Sequence, residues 1–480
     1  MSDNKVFTSS VDLKSCLIQG NKKGSKPFDA TIGVVRFDYF EDIESPTIFA
    51  SLVIGEESMN NMISEIPLQG GEAVEIKLTT KVDQTEHTYQ FTIYKIYSRY
   101  IVDRFQTYTL GLVSKEALAN EMLKMGIVLK GLPSQIVTNL LKQNIGTLKD
   151  VFVDKALNMV KFQPGKKTPF SIIETLKMKT ICEEGNSVVK KDGSSKTNIN
   201  SSSSSDIEVQ KDGGIGTVSG HENQMKGSAG YLFWENKAGY NFRSMDQLYD
   251  KTKNIPLPYT YMQQNSQLSE DPRFVISNVE FEKEIDMLDK LRHGAYSSVI
   301  CYYNYSTGSY EEYAYSLNDQ YDEMNHLGPQ QGVPLTQEFL SRYPTRIMSV
   351  LLDHETWHDK EEVGSPEKKD GGTKDTAEFP DWGKWVTSQS IARFNSFNNQ
   401  QLQIKVPGNP SLKVGDIINI RIMSQSRDKK THPWDKEHSG AYLISKLNHA
   451  FLPKKPMTET FLTLIRDVYG NETTKVETAS

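Results

Sequence analysis

Three cysteines in 480 residues, Cys16, Cys182 and Cys301, are too few and too widely spaced for a disulfide framework or a cysteine-based zinc site. Free thiols in a reducing compartment are the expectation. The opening stretch MSDNKVFTSSVDLK has neither a basic nor an apolar region, so no secretory leader is expected, and synthesis in cytoplasm follows. No run approaches 18 apolar residues, which leaves no candidate membrane span. Charge of one sign is also scarce: 55 basic against 61 acidic residues give a net charge of -6. A protein that grips nucleic acid through its phosphates needs clustered Lys and Arg. The pairs Lys166-Lys167, Lys190-Lys191 and Lys429-Lys430 are short and scattered, and read as solvated surface. There is no phosphate-binding glycine loop, because Gly213-Gly214-Ile215-Gly216 lacks a following Lys-Ser or Lys-Thr, and no G-x-S-x-G elbow.

What is plentiful is aromatic and β-branched sequence, with 22 Tyr and 20 Phe. That composition leans towards sheet. Val74, Ile76 and Leu78 alternate with polar neighbours, as do Tyr89, Phe91, Ile93 and Tyr108, Leu110, Leu112. Period two of this kind describes strands buried on one face, and several in a row suggest a barrel or sandwich. At Ser114 the period changes. SKEALANEMLKMG predicts a helix capped by Ser114 with a Leu118/Met122 stripe. LPSQIVTNLLKQN predicts a second with Ile136, Val137, Leu140 and Leu141 inward, and Thr168-Pro169 opens a third with Ile172, Ile173 and Leu176 inward.

Residues 186–228, with five consecutive serines, bury too little apolar surface to offset their ordering entropy and read as a long loop. GYLFWENKAGYNFRS follows as a hairpin turning at Asn236–Gly239. A ribbon turns near Thr307-Gly308, an irregular stretch covers 319–382, and strands return with Leu402, Ile404, Val406 and then Ile418, Ile420, Ile422. The expected architecture is mainly β with an α+β middle domain: two tube-like antiparallel β-barrels, a helical and hairpin middle domain, and an irregular insertion. Its expected boundaries are 1–113 for the first barrel and 114–262 for the middle domain. The second barrel takes 263–318 and 383–470 around an insertion at 319–382, with a tail at 471–480.

Four stretches carry a resemblance: SPTIFASLVIGEESMNNMISEIPLQGGEAVEIKL, TPFSIIETLK, GYLFWENKAGYNFRSMDQLYD and LQIKVPGNPSLKVGDIINI. In this order, over roughly residues 28–466, they resemble the baseplate central hub proteins of contractile-tailed bacteriophages. The hub portion of type VI secretion spike proteins has the same fold. The resemblance implies a structural protein without cofactor or metal. It implies a homotrimer in which three chains supply six barrels around a channel, adapting a trimeric central spike to a hexameric tail tube. Implied partners are further copies of the chain, the spike, the tail tube protein, and baseplate wedge or tape-measure proteins, with transient passage of DNA and no membrane. The implied location is the virion tail baseplate, assembled in host cytoplasm. The long serine-rich loop and the 319–382 stretch depart from the family. An exposed strand continuing a sheet between subunits would join the copies. Val74, Ile76, Leu78 and Ile418, Ile420, Ile422 are the candidate interface residues.

One motif points elsewhere. HETWH at 354–358 would, on a helix, pair His354 and His358 on zinc with Glu355 as general base. A zinc metallopeptidase is therefore the alternative reading, alongside a metal site without catalysis and the hub part of a secretion or other contractile injection system. Against the peptidase, Asp359, Lys360, Glu361 and Glu362 follow at once, as in a solvated segment, and Glu378 is a third ligand with no pattern to hold it. A coincidental motif is the expectation.

Overall fold

The computed structural model describes residues 11–22, 26–57, 68–80, 84–103, 105–182, 228–250, 259–261, 274–283, 286–304, 309–317, 321, 324–328, 345–352, 382–424, 434–435, 437–453 and 458–468. The protein is mainly β. Its first part runs β1 (Val11–Gln19), β2 (Phe28–Asp29), β3 (Val34–Asp42), β4 (Phe49–Glu57), β5 (Ala73–Thr80), β6 (Glu86–Val102) and β7 (Phe105–Val113). The middle follows as α1 (Lys115–Met122), β8 (Leu129–Gly131), α2 (Pro133–Asn139), β9 (Asp150–Val153), β10 (Val160–Phe162), α3 (Pro169–Lys177), β11 (Ile181–Cys182) and β12 (Ser228–Ala229). It closes with β13 (Tyr231–Asn236), β14 (Gly239–Ser244) and α4 (Met245–Leu248). The last part holds β15 (Tyr259–Tyr261), β16 (Asn278–Lys283), α5 (Met287–His293), β17 (Ser297–Asn304), β18 (Ser309–Ser316) and β19 (Arg346–Leu352). It ends with α6 (Trp382–Phe397), β20 (Gln400–Pro407), β21 (Ile417–Ile422), β22 (Gly440–Phe451) and β23 (Glu459–Arg466).

Among the described residues thirteen strands form one sheet. Within it the order β3-β4-β7-β6-β5-β1 is repeated by β16-β20-β23-β22-β21-β15. The repeat extends to register. Leu110 faces Ile96 on one side and Leu52 on the other, as Leu462 faces Leu447 and Ile404. Val74 faces Phe91 as Ile418 faces Tyr442. Even the irregularity recurs: β6 bulges between Ile93 and Lys95, and β22 between Ile444 and Lys446. Bulges re-aim a strand and bend it, so a shared one is a shared shape. Each half also turns back on itself with a matching backbone bond of 2.8 Å, Ala30 N–H to Cys16 O in the first and Ile276 N–H to Thr260 O in the second. The halves differ at that return, where β1 meets β5 antiparallel but β15 meets β21 parallel.

The alternation seen in the sequence accounts for the core. Val74, Ile76, Leu78, Tyr108, Leu110 and Leu112 join Ile404, Ile418, Ile420, Leu462 and Leu464 in one continuous apolar cluster spanning both halves. The middle keeps its own cluster, with Val137, Leu141, Ile172, Ile173 and Leu176 of α2, its π-helical continuation and α3 packed on Phe233 and Tyr240. Thr168 caps α3 by accepting from Ser171 N–H, and Pro169 takes the first turn, as its sequence predicts. In α1 the outcome differs. Its buried residues are Glu116 and Asn120, while Met122 of the expected stripe is exposed. The reason is polar: Glu116 accepts from Thr147 and Lys149, both at 2.8 Å, and Asn120 Oδ1 accepts the orphan Phe170 N–H at the start of α3, also at 2.8 Å.

Three strands stand apart from the large sheet. β17 pairs with β18 and β19 in a separate three-stranded sheet covered by α6. The buried ion pair Arg393–Asp246 (2.6 Å) ties α6 to α4.

Candidate functional site: the strand joint and its hairpin clamp

The HETWH motif, with His354, Glu355 and His358, lies outside the described residues, as does Glu378. Among the described residues no group of three or more His, Cys, Asp and Glu side chains is placed to hold a metal. No helix among them is long and apolar enough to cross a membrane. The structure places Val74, Ile76, Leu78, Ile418, Ile420 and Ile422 in the core, all at most 5% exposed. β5 is paired on both edges, by β1 and β6, while β21 is paired by β22 at Ile417–Ile420 and by β15 at Ile420–Ile422. Their side chains are spent on the core of each half.

Among the described residues the sheet passes from one half to the other at one joint, β3 against β22. Six residue pairs run antiparallel from Lys446–Asp42 to Phe451–Phe37. Both strands send aromatic rings inward there. Phe37 stacks on Phe451 with centroids 5.8 Å apart, and Tyr39 on His449 at 6.0 Å. Burial removes water from the His449 ring and drives its pKa down to about 3, so the joint holds a neutral imidazole bonded to Thr460 Oγ1 at 2.8 Å. At the rim, Lys446 and Asp42 close to 3.0 Å.

Two residues on from Tyr39 on the same inward face sits Glu41, 2% exposed. A carboxylate in that position needs several donors, and it has three from three regions: Tyr39 OH (2.6 Å), Lys237 N–H (2.6 Å) and Val414 N–H (2.8 Å). Burial raises its pKa to about 7 against those three bonds. Lys237 belongs to the turn between β13 and β14, and Val414 to the PGNPSLKVGD turn. These two turns also meet directly, through Trp234 Nε1–H and Asn236 Nδ2–H donating to Val414 O at 3.3 and 3.1 Å. A side chain at Gly415, where φ is +94°, would come within 2.8 Å of the Trp234 ring. On the other side of the hairpin Glu235 accepts Ile48 N–H (3.0 Å) and binds Lys149, which also holds Glu116. Phe170 of α3 packs on Phe233 and Tyr240 at 5.7 and 5.9 Å. The four stretches that carry the resemblance, far apart in sequence, therefore converge on one hairpin. Sequence reading located the turns but missed Glu41; the signal was an acid continuing the inward series Phe37, Tyr39.

Two strand edges equivalent to the joint stand open among the described residues. Residues 94–102 of β6 are paired only by β7, whereas the matching residues of β22 lie between β23 and β3. Tyr100, Ile101 and Val102 are 65–68% exposed there. β16, the counterpart of β3, is paired only by β20, and Phe281 on it is 45% exposed.

No family model matches the sequence, and no curated protein matches it. Among solved structures, the chain is similar to a tail protein from Neisseria meningitidis MC58, at a TM-score of 0.49 and 11% identity over 94% of this chain and 96% of that one. It is similar to the 43 kDa tail protein of prophage MuSo2 from Shewanella oneidensis, at 0.48 and 9% over 95% and 99%. A third is the prophage tail protein gp18 from Listeria monocytogenes EGD-e, at 0.43 and 8% over 94% of each chain.

Proposed function

We propose that this chain is a structural hub of a contractile-tail baseplate, acting as a homotrimeric ring between a trimeric spike and a hexameric tail tube. The observation that carries this is the duplication. Two halves with one strand order, a matched register around Leu110 and Leu462 and a shared bulge are joined by a strand ladder, so each chain supplies two like units to a ring. Three such chains present six like units, which meet a sixfold partner on one side and a threefold partner on the other. The number three comes from the family resemblance in the sequence. The location that goes with it is the virion tail, and the partners are the spike, the tube and neighbouring baseplate proteins, with DNA passing through the ring. A near-neutral net charge suits a channel that must release DNA.

In this reading the chemistry is interface complementarity, without turnover. The hairpin clamp at Glu41 and Glu235 sets how the two halves meet, and hence the curvature of the ring. Light scattering on the purified chain tests it. The expected mass is about 163 kDa, three times the 54.4 kDa chain. A mass that stays at one chain up to high micromolar concentration, or settles at two, contradicts the ring.

A further inference from the structure

We infer that a second copy of this chain completes the large sheet, head to tail, by laying its β16 antiparallel along residues 98–102 of β6. This rests on the self-assembly reading above and names the strands and register that carry it.

The inner joint serves as the template. Ile93 faces Leu112 as Ile444 faces Leu464, and Ile96 faces Leu110 as Leu447 faces Leu462. After a second bulge, which skips Tyr97, Ser98 faces Thr109 as Asn448 faces Phe461. On the other strand, Val279 faces Ile404 as Phe37 faces Leu52, and Phe281 faces Leu402 as Tyr39 faces Ala50. The pairs His449–Tyr39, Ala450–Asp38 and Phe451–Phe37 of the inner joint then become Arg99–Phe281, Tyr100–Glu280 and Ile101–Val279 between copies. The chemistry of these pairs fits. Arg99 comes over the exposed Phe281 ring where His449 covers Tyr39, a cation–π arrangement. Ile101 covers Val279, which already packs on the core. Lys95, just beyond the paired stretch, stands on the same face as Glu280 and Glu282 and sets an opposite charge at the end of that ladder.

A second copy is the occupant because each open edge lacks what the other supplies. Within one chain the two are not paired with each other among the described residues: β16 and β6 lie seven strands apart in the strand order. An unpaired edge bearing Tyr100, Ile101 and Val102 is also what a soluble sheet must cover to avoid nonspecific pairing. Since β6 and β16 are different strands, the contact is heterologous and repeats from copy to copy until the ring closes.

Cysteine pairs test the register. In a Cys301→Ser background, which removes the half-buried thiol, the double variants Arg99→Cys/Phe281→Cys, Tyr100→Cys/Glu280→Cys and Ile101→Cys/Val279→Cys are oxidised and run on non-reducing gels. At least one pair is expected to link chains into species up to the mass seen by light scattering, while the single variants do not. In parallel, Ile101→Lys is expected to weaken self-association tenfold or more, and Leu148→Lys, at a fully exposed site in the middle, to leave it unchanged. An assembly of full mass with no link at any of the three positions, or one indifferent to Ile101→Lys, overturns the strand pairing and leaves the ring reading standing. A chain that neither links nor gains mass overturns both.

Discussion

The two halves of the large sheet are built alike and finished differently. In the second, the outer stretch of β22 is sealed by β3, and His449 and Phe451 lie beneath rings of the first half. In the first, the matching stretch of β6 carries Arg99, Tyr100 and Ile101 into solvent. The same strand order and the same bulge thus serve once as an internal seam and once as an open edge. The difference teaches that aromatic and aliphatic side chains on β6 are not misplaced core. They occupy positions that are core wherever the partner strand is present. A surface strand that looks too apolar is best judged by its counterpart in the other half.

Breaking the sealed side should cost most. Phe451→Ala removes the ring stacked on Phe37 at the joint and is expected to lower stability by about 3–5 kcal/mol. Chemical denaturation reads this directly. An effect below about 1 kcal/mol would mean that the joint is not packed as described.

Next in size is a pH effect at the clamp. Burial lifts the Glu41 pKa from 4.5 to about 7, so between those values the folded chain keeps a proton that the unfolded chain has lost. Its contribution to stability is therefore fully present on the acid side and falls as pH climbs through that window, by on the order of 3 kcal/mol. Glu41→Gln should remove this slope. His449 works in the opposite sense: its pKa is depressed to about 3 from 6.5, so stability is gained as pH rises between those values. Denaturation midpoints across pH 3 to 8, with and without Glu41→Gln, separate the two. A slope unchanged by the substitution would remove Glu41 as its source.

How far the sequence shows all this differs by scale. Period-two alternation located β5, β6, β7, β20 and β21, and NKAG located the hairpin turn, because both are local. Alternation says that a strand has a buried face; it does not say which of its edges is free. That is why Val74 and Ile418 stood out as interface candidates although both side chains are buried, and why β16 and the end of β6 did not. The α1 stripe failed for a related reason, since Glu116 is buried for Lys149 and Thr147, more than 30 residues away. Glu41 draws on Lys237 and Val414, which only the folded chain brings near.

The smallest expected effect sharpens the comparison most. Ile101→Ala, at the position matching Phe451, should change the stability of the single chain by no more than about 0.5 kcal/mol, because the side chain is exposed there. The same substitution should weaken self-association measurably in sedimentation. A large loss of single-chain stability would show that Ile101 is already covered within one copy.

The most direct test of the central claim, that like halves alternate around a ring, is electron microscopy of the assembled particle viewed down its axis. The expected image is of threefold particles whose rim shows six similar units, with sheet continuing from β16 of one copy into β6 of the next. Particles with twofold symmetry, or a rim in which the two halves of a chain lie at different radii, would contradict it.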